Sequence, residues 1–321
     1  MPAPSLTHLP LRLLSPAGPR ARLLILTFHR VLPVPDPLLP DDLDAVSFAA
    51  QMQWVAGFGR VYALPEAVRR LHEGTLADRA CCITFDDGYA NNCDVALPIL
   101  RELGLTATIF IATDAVDRGV MWNDLVIEAV RRAGRSIRAS DLAALGMSRE
   151  DLRADSAAVD VLLGHLKYRP LHERWDLAVE FYRRVTGMDP PRLMMTRATV
   201  RAVAHAGFDI GAHTVNHPIL KTLAPEVARQ EIGASRDWIT NVVGSPPAAF
   251  AYPNGRPGPD YDDTHVQMVR DAGFSLAVST SWGCAARASD AFQLPRVAFW
   301  DRTRVRFWLR MLSTYAKSYR R

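Results

Sequence analysis

Strand-like and helical runs alternate along most of this chain, and the alternation restricts the folds open to it. Apolar, β-prone runs recur, and many of the segments between them have the spacing of amphipathic helices. The predicted strands are residues 22–28, 60–63, 81–85, 106–112, 208–212, 248–252, 274–280 and 296–299. The predicted helices between them include 47–57, 65–72, 93–103, 196–206, 225–243 and 264–272. Since strands joined by helices run parallel, we predict an α/β protein built on a parallel sheet.

The number of strand-helix units, about seven or eight, fits a closed or nearly closed barrel. One region, from about residue 114 to 195, breaks the alternation. It contains helical patterns at 124–133, 157–167 and 172–185 and no convincing strand. We interpret it as a helical insertion between two barrel strands. Insertions after barrel strands usually shape access to the site, although an insertion that only packs on the barrel would have the same pattern.

Composition excludes several classes of protein. The chain has 321 residues with a net charge of +4, which is far from the strongly basic signature of nucleic-acid binding, so we expect no nucleic-acid partner. No apolar run is long enough to span a bilayer, and the N-terminal stretch lacks the pattern of a secretory signal. We therefore expect a cytoplasmic protein or one peripheral to a membrane. Of the four cysteines, Cys81 and Cys82 are adjacent in a predicted strand, which favours core thiols over disulfides and a reducing compartment.

Polar clusters follow several of the predicted strands. They are "LTFHRV" at 26–31, "TFDDG" at 84–88, "GAHTVNHP" at 211–218 and "FAYPNG" at 250–255. The carboxyl ends of parallel barrel strands face one side, where sites form. Asp86 and Asp87 stand at the end of an apolar run, where neighbouring carboxylates repel each other and resist desolvation. A cation would offset both costs, whereas a plain Asp-Gly turn with solvated acids explains the pair without one.

His213 and His217 have the i, i+4 spacing of a helix face, but Pro218 disfavours helical backbone at His217. We therefore place the pair on a strand end and a tight loop. One aspartate and two histidines make a three-ligand divalent site with room for water, so we predict Asp87, His213 and His217 as metal ligands. Asp86 then stays free to act as a general base. Purely structural histidines are the alternative.

These motifs, in this order, resemble those of the polysaccharide deacetylases, also called carbohydrate esterase family 4 or the NodB-homology domain. The resemblance covers about residues 23–299 apart from the insertion, and we treat 1–321 as a single domain. It implies a distorted (β/α)7 barrel and a hydrolase that removes acetyl groups from N-acetylated sugars. It also implies Asp86 as the base, Asp87 with both histidines as ligands of a divalent metal, usually zinc, and a backbone N–H at Asn254 for the oxyanion.

Two departures from the family pattern concern the catalytic groups. Ala251 stands where an arginine usually braces the base, and no histidine follows His265 to act as the C-terminal general acid. An exopolysaccharide (poly-N-acetylglucosamine) deacetylase subgroup takes its acid from an N-terminal "YH" motif. "LTFHRV" resembles that motif, which implies His29 as the acid. Arg296 or Arg30 would then replace the missing brace.

The C-terminal segment, about 302–321, is basic and amphipathic. Its basic residues, with no acid among them, are Arg302, Arg304, Arg306, Arg310, Lys317, Arg320 and Arg321. Such a helix either docks on an anionic membrane or packs on the barrel with a solvated basic face. Two further functional readings stay open: a related amide or ester hydrolase with a small or lipid-linked substrate, and a non-catalytic sugar-binding module.

Overall fold

The computed structural model describes residues 9–317, and one curled sheet forms its centre. The strands are β1 Arg22–Phe28, β2 Val31–Leu32, β3 Leu43–Asp44, β4 Arg60–Val61, β5 Ala80–Phe85, β6 Thr108–Ile111, β7 Ser136–Ile137, β8 Leu152–Arg153, β9 Asp209–Ala212, β10 Ala249–Ala251, β11 Leu276–Val278 and β12 Ala285–Ala286. The main sheet has the order β11-β10-β9-β6-β5-β1-β12, with β4 also paired to β5. All of its strand pairs are parallel except β1 with β12.

A short segment closes the sheet into a barrel. Leu294 bridges to Val278 of β11, and Val297 bridges to Leu26 of β1, both in parallel. The amide of Val297 donates to Ile25, and that of Thr27 donates to Val297. This segment occupies the place of the strand predicted at 296–299 and makes isolated bridges instead of a strand. The predicted fold, a distorted (β/α)7 barrel, is confirmed.

The helices cover the outside of the sheet, as the sequence pattern predicts. They are α1 Leu9–Leu14, α2 Ala45–Phe58, α3 Leu64–Glu73, α4 Leu97–Glu102, α5 Thr113–Arg118, α6 Trp122–Arg132, α7 Ala139–Ala143, α8 Ser156–Leu166, α9 Leu171–Thr186, α10 Arg197–His205, α11 Pro225–Val243, α12 Asp263–Asp271 and α13 Arg304–Ala316. A π-helical turn, Asn92–Ala96, precedes α4, and a 3₁₀ turn, Leu220–Thr222, precedes α11.

Side chains of the strands alternate between two apolar clusters. Cys81 joins the cluster under the outer helices, and Cys82 joins the second cluster, which includes residues of β1, β10 and β11. The two thiols therefore point to opposite faces of β5, as predicted, because successive side chains of a strand do so. Every cysteine is a free thiol in the structure.

The region predicted as a helical insertion contains α5 to α9 and a small apolar cluster of its own. Leu125 and Val130 of α6, Leu162 of α8, and Phe181 and Tyr182 of α9 pack in that cluster. The prediction that the region has no strand was wrong, because β7 and β8 form an antiparallel pair there. Each of these strands has only two residues, which is too few for period-2 alternation to be visible in the sequence.

The C-terminal helix α13 packs its apolar face on the protein. Phe307, Met311 and Tyr315 are fully buried, whereas Val305 and Leu309 stay exposed. Arg320 and Arg321, which belong to the basic segment named above, lie outside the described residues. Within 9–317, the structure contains no helix that is both long and apolar enough to cross a membrane.

Candidate active site

The two adjacent aspartates follow β5 and point to different partners. The amide of Asp86 continues the barrel by donating to the carbonyl of Phe28 at 2.9 Å. The backbone then turns sharply, with φ of +74° at Asp87 and +89° at Gly88. A left-handed conformation costs a residue with a Cβ roughly 1–2 kcal/mol. Asp87 adopts it although both aspartates are almost completely buried, which suggests that its orientation matters.

A tight loop after β9 carries the two histidines. Thr214 and His217 have left-handed backbones, with φ of +64° and +51°. The hydroxyl of Thr214 accepts from the amide of His217 at 3.1 Å and donates to the carbonyl of His213 at 2.5 Å. The loop is thus not helical, as Pro218 indicates, and the turn brings both imidazoles to the same end of the barrel.

Glu231 of α11 fixes the backbone of this loop through hydrogen bonds. Its carboxylate accepts from the amides of Val215 and Asn216 at 3.0 and 2.8 Å, and from the Asn216 side chain at 2.6 Å. Glu231 is only 6% exposed. A buried carboxylate that accepts three such bonds holds the backbone between the two histidines in place.

Asp87, His213 and His217 form a group that could hold a metal ion. Their candidate ligand atoms lie within 4.8 Å of one another. The Nε2 atoms of His213 and His217 are each 3.6 Å from Oδ1 of Asp87. Two atoms bound to one zinc ion at ~2.0–2.2 Å lie at most ~4.4 Å apart, so these distances fit a shared ion.

The surroundings of this group also fit a cation. Oδ1 of Asp87 is buried and has no hydrogen-bond partner, which is costly for a carboxylate unless an ion occupies the space. Nδ1 of His213 lies 2.7 Å from the carbonyl of Ala251, an arrangement that leaves Nε2 to face Asp87. Burial lowers the pKa of His213 to about 4, and burial and the charge of Arg174 lower that of His217 to about 3. Both rings are therefore neutral at pH 7, as metal ligands must be.

Asp86 is held by Arg296 from the segment that closes the barrel. The two guanidinium nitrogens donate to the two carboxylate oxygens, each at 2.7 Å. Nε of Arg296 donates to the carbonyl of Ser279, and its guanidinium also reaches the hydroxyl of Thr84. Burial by itself raises the pKa of Asp86, but the charge of Arg296, together with its hydrogen bonds, outweighs burial and holds that pKa well below its usual range. Asp86 is consequently an anion at neutral pH.

Arg30, the other candidate brace for Asp86, is engaged elsewhere, so that alternative was wrong. It forms an ion pair with the buried Asp124 at 2.8 Å, and its guanidinium lies over the ring of Tyr89. This pair ties the loop after β1 to the start of α6. Arg296 therefore occupies the position that Ala251 leaves without an arginine.

His29 and Asn254 complete the rim of the same cavity. Nε2 of His29 lies 4.0 Å from Oδ2 of Asp86, and the His29 side chain is 56% exposed. Asn254 has a left-handed backbone with φ of +57°. The cavity has a volume of about 380 Å³, and its walls include both residues together with Asp86, Asp87 and the two histidines. All the predicted site residues except Arg30 thus line the cavity or directly hold a residue that does.

Sequence reasoning missed two residues of this region. Glu231 lies in the middle of an ordinary helical pattern, fourteen positions after His217, and no local motif distinguishes it. Arg174 lies in the insertion and lines the cavity, although its sequence surroundings are those of any amphipathic helix. Only the tertiary structure brings either residue to the site.

Solved structures of other proteins share this fold. PplD, a deacetylase of Streptococcus pyogenes solved in complex with acetate, superposes with a TM-score of 0.60 at 20% identity, covering 87% of this chain and 92% of that one. IcaB from Ammonifex degensii superposes with a TM-score of 0.58 at 17% identity, covering 94% and 99%. At these low sequence identities, the structural likeness establishes the fold alone.

The sequence itself matches the family model described as polysaccharide deacetylase, over residues 73–156 and 174–277. The chain therefore belongs to the polysaccharide deacetylase family, which confirms the resemblance that its motifs suggest. It is also 23% identical over 252 residues to YxkH of Bacillus subtilis (strain 168), provisionally named a polysaccharide deacetylase. That match covers 78% of this chain but only 63% of YxkH, so the chain spans less than two thirds of this relative.

Proposed function

We propose that this protein is a metal-dependent hydrolase that removes acetyl groups from N-acetylated sugars in a polysaccharide or oligosaccharide. The observation that carries the proposal is one cavity in which a three-ligand group, Asp87 with His213 and His217, adjoins an anionic carboxylate held by Arg296. Membership of the polysaccharide deacetylase family supports the substrate class. PplD, with the same fold, was solved with acetate, the second product of such a reaction.

Asp87, His213 and His217 would hold the metal ion. One carboxylate and two imidazoles suit zinc, which we propose as the native ion. When bound, the ion lowers the pKa of a water molecule and polarises the acetyl carbonyl. The unpartnered Oδ1 of Asp87 and the neutral state of both histidines support this assignment.

The remaining residues would move protons and stabilise charge. Asp86, kept anionic by Arg296, takes the proton of the attacking water. The backbone N–H of Asn254 donates to the oxyanion that develops on the acetyl carbonyl. His29 donates a proton to the leaving amine, and its exposed position on the cavity rim leaves it accessible to substrate. The acid is needed because an unprotonated amine is a very poor leaving group.

Acetate release from N-acetylglucosamine oligomers tests the proposal. We expect the purified protein to release acetate, to lose this activity on chelation and to regain it with zinc. Asp86→Asn should keep the metal and lose ~10²–10⁴-fold in turnover, as expected for loss of a general base. His213→Ala should lose the metal itself. Full metal content in both His213→Ala and His217→Ala would refute the metal site.

We also propose that the protein contacts anionic membranes peripherally through the end that carries α13. Exposed apolar residues cluster there: Val305 and Leu309 of α13, with Trp282 and Trp300, whose rings lie 6.3 Å apart. Arg306 and Lys317 are exposed beside them. Aromatic and basic side chains of this kind suit the interfacial region of a membrane.

A further inference from the structure

Arg174 of α9 is a buried arginine that forms no ion pair with a carboxylate of the described residues. Only 5% of the surface of Arg174 is exposed to solvent. Within residues 9–317 it forms no ion pair, and its one hydrogen bond is a long one, 3.4 Å, from Nη1 to the carbonyl of Lys167. Nε has no partner at all. Burial lowers the pKa of Arg174 to about 10, which still leaves the guanidinium charged at neutral pH.

A buried arginine without an ion-pair partner lowers the stability of the folded protein. A buried charge is normally paired, as Arg296 is with Asp86 and Arg30 with Asp124. Among the described residues, the compensation at Arg174 consists of the ring of Trp122, whose centroid lies 4.6 Å from the guanidinium, the long bond to Lys167 and the attraction of the buried Glu231, which forms no ion pair with it. A cation–π contact returns ~0.5–2 kcal/mol, well below the cost of leaving the charge unpaired. We therefore expect the counter-charge of Arg174 to come from a bound molecule and not from another residue of the described chain.

The position of Arg174 indicates what that partner is. It lines the catalytic cavity, where Lys167 is a second cation on the insertion side. It also lines a neighbouring cavity of about 400 Å³, and Trp122 and His217 lie on the walls of both. Among the described residues, the acids on the wall of the catalytic cavity are Asp86 and Asp87, which Arg296 and the proposed metal neutralise. The wall on the insertion side is thus positive, and under the proposed function it would face a part of the substrate next to the acetyl group.

We propose that Arg174 binds an oxyanion of the substrate, a carboxylate or a phosphate, so that the protein deacetylates acidic glycans in preference to neutral ones. This inference rests on the proposed function. A guanidinium presents parallel N–H donors that match both kinds of oxyanion, and its bonds to them are charge-assisted. With Trp122 covering one face of the guanidinium, the anion approaches its edge.

Three acetylated substrates separate the possibilities: a neutral N-acetylglucosamine oligomer, an oligomer containing N-acetylmuramic acid, and UDP-N-acetylglucosamine. We expect a higher kcat/KM on the carboxylate or the phosphate substrate than on the neutral one, and the preferred one identifies the oxyanion. Arg174→Met should raise KM for that substrate ~10–100-fold, the usual effect of losing a hydrogen bond to a charged group, and change the neutral substrate little. Equal losses on all three substrates, or no preference for either acid, would overturn the inference.

Arg118→Met is the matched control. Arg118 also lies over a tryptophan, Trp175 at 4.0 Å, and lines the neighbouring cavity, but it is ion-paired with Asp114 and is absent from the wall of the catalytic cavity. The Arg118→Met variant should leave the preference for the acidic substrate intact.

Thermal unfolding distinguishes ligand binding from a structural role of Arg174. Because the substitution removes an unpaired buried charge, the Tm of Arg174→Met should stay the same or rise. A marked fall in Tm would count against a ligand-binding role.

Binding separates this inference from the proposed function. Calorimetric titration of Asp86→Asn with the same three compounds needs no turnover. Tighter binding of an acidic compound that disappears in Asp86→Asn/Arg174→Met supports the oxyanion site, even if the wild-type protein released no acetate. Acetate release with no acidic preference in either assay would retain the proposed function and reject the oxyanion site.

Discussion

Asp86 and Asp87 are neighbours in sequence, but their side chains have opposite environments. Asp86 has a bidentate arginine, whereas Oδ1 of Asp87 has no hydrogen-bond partner among the described residues and lies 3.6 Å from each of two neutral imidazoles. The first is stabilised as an anion that can accept a proton, and the second has the surroundings expected of the proposed metal ligand. The "DDG" motif therefore places the proposed base and the proposed metal ligand on adjacent residues whose side chains face different parts of the barrel.

Replacing Arg296 should move the acid limb of the pH–rate profile. Arg296 lowers the pKa of Asp86, so its loss raises that pKa, and the base becomes protonated at a higher pH. We expect kcat/KM of Arg296→Met to fall off at a pH ~1–3 units higher than in the wild type, measured by acetate release. Arg296→Lys retains a charge and should shift less. An unchanged acid limb in a folded Arg296→Met protein would show that Arg296 does not tune the base.

The proposed acid, His29, can be isolated by the choice of leaving group. An amide nitrogen must be protonated as it departs, whereas a phenolate leaves without help. His29→Ala should therefore lower deacetylation of N-acetylglucosamine oligomers ~10²–10⁴-fold and hydrolysis of 4-nitrophenyl acetate much less. Metal content should stay unchanged. Similar losses on both substrates would remove His29 from the proton transfer.

At the scale of elements, the site depends on strand ends whose backbone is held in rare conformations. Asp87, Thr214, His217 and Asn254 all have positive φ, although none is glycine. Such conformations persist only where the surroundings impose them. For the histidine loop, that role falls to Glu231 of α11, which accepts three hydrogen bonds from Val215 and Asn216.

Glu231→Gln should therefore weaken metal binding without removing a ligand. An amide can accept at only one of its two positions, so at least one loop donor loses its partner. We expect metal affinity to fall ~10–100-fold, the usual effect of disturbing an outer-shell partner, as measured by competition with a chromophoric chelator. Glu226→Gln, at an exposed position of the same helix, is the control. Equal affinities in the two variants would show that α11 does not orient the ligands.

Local pattern predicted the elements that carry the site but not the contacts between them. β1 matches its predicted range fully, and α11 begins and ends at the predicted residues, because long periodic segments have clear signals. From the sequence, Arg296 and Arg30 were alternative candidates for the arginine that holds Asp86. The choice between them depends on how the segment that closes the barrel packs against β1 and β11. Glu231 and Arg174 were missed because their roles depend on long-range packing. The β7–β8 pair was missed because its strands are too short to show alternation.

At the scale of the whole molecule, the described part of the chain divides its charges unevenly. The rim that includes Asp86, Asp87 and the histidines carries the proposed chemistry, and the insertion adds Lys167 and Arg174 to it. At α13, Arg310 is neutralised by Asp301, whereas Arg306 and Lys317 face solvent. Folding thus neutralises part of the positive charge of the C-terminal segment and leaves a smaller basic surface beside the exposed Trp300 and Leu309.

That surface gives the proposed membrane contact a specific test. Two basic residues near an anionic bilayer contribute about 1 kcal/mol each, so Arg306→Glu/Lys317→Glu should lower the partition coefficient for phosphatidylglycerol vesicles by at least ~30-fold at low salt. Trp300→Ser should also weaken binding, because the indole loses its place in the interface. Tyr168→Ser, an exposed aromatic of the insertion, is the control. High salt should release the wild-type protein, since screening shortens the reach of the charges. If the wild type and the charge-reversal variant pellet equally in a vesicle co-sedimentation assay, α13 serves only to cover the barrel, where Phe307, Met311 and Tyr315 already pack.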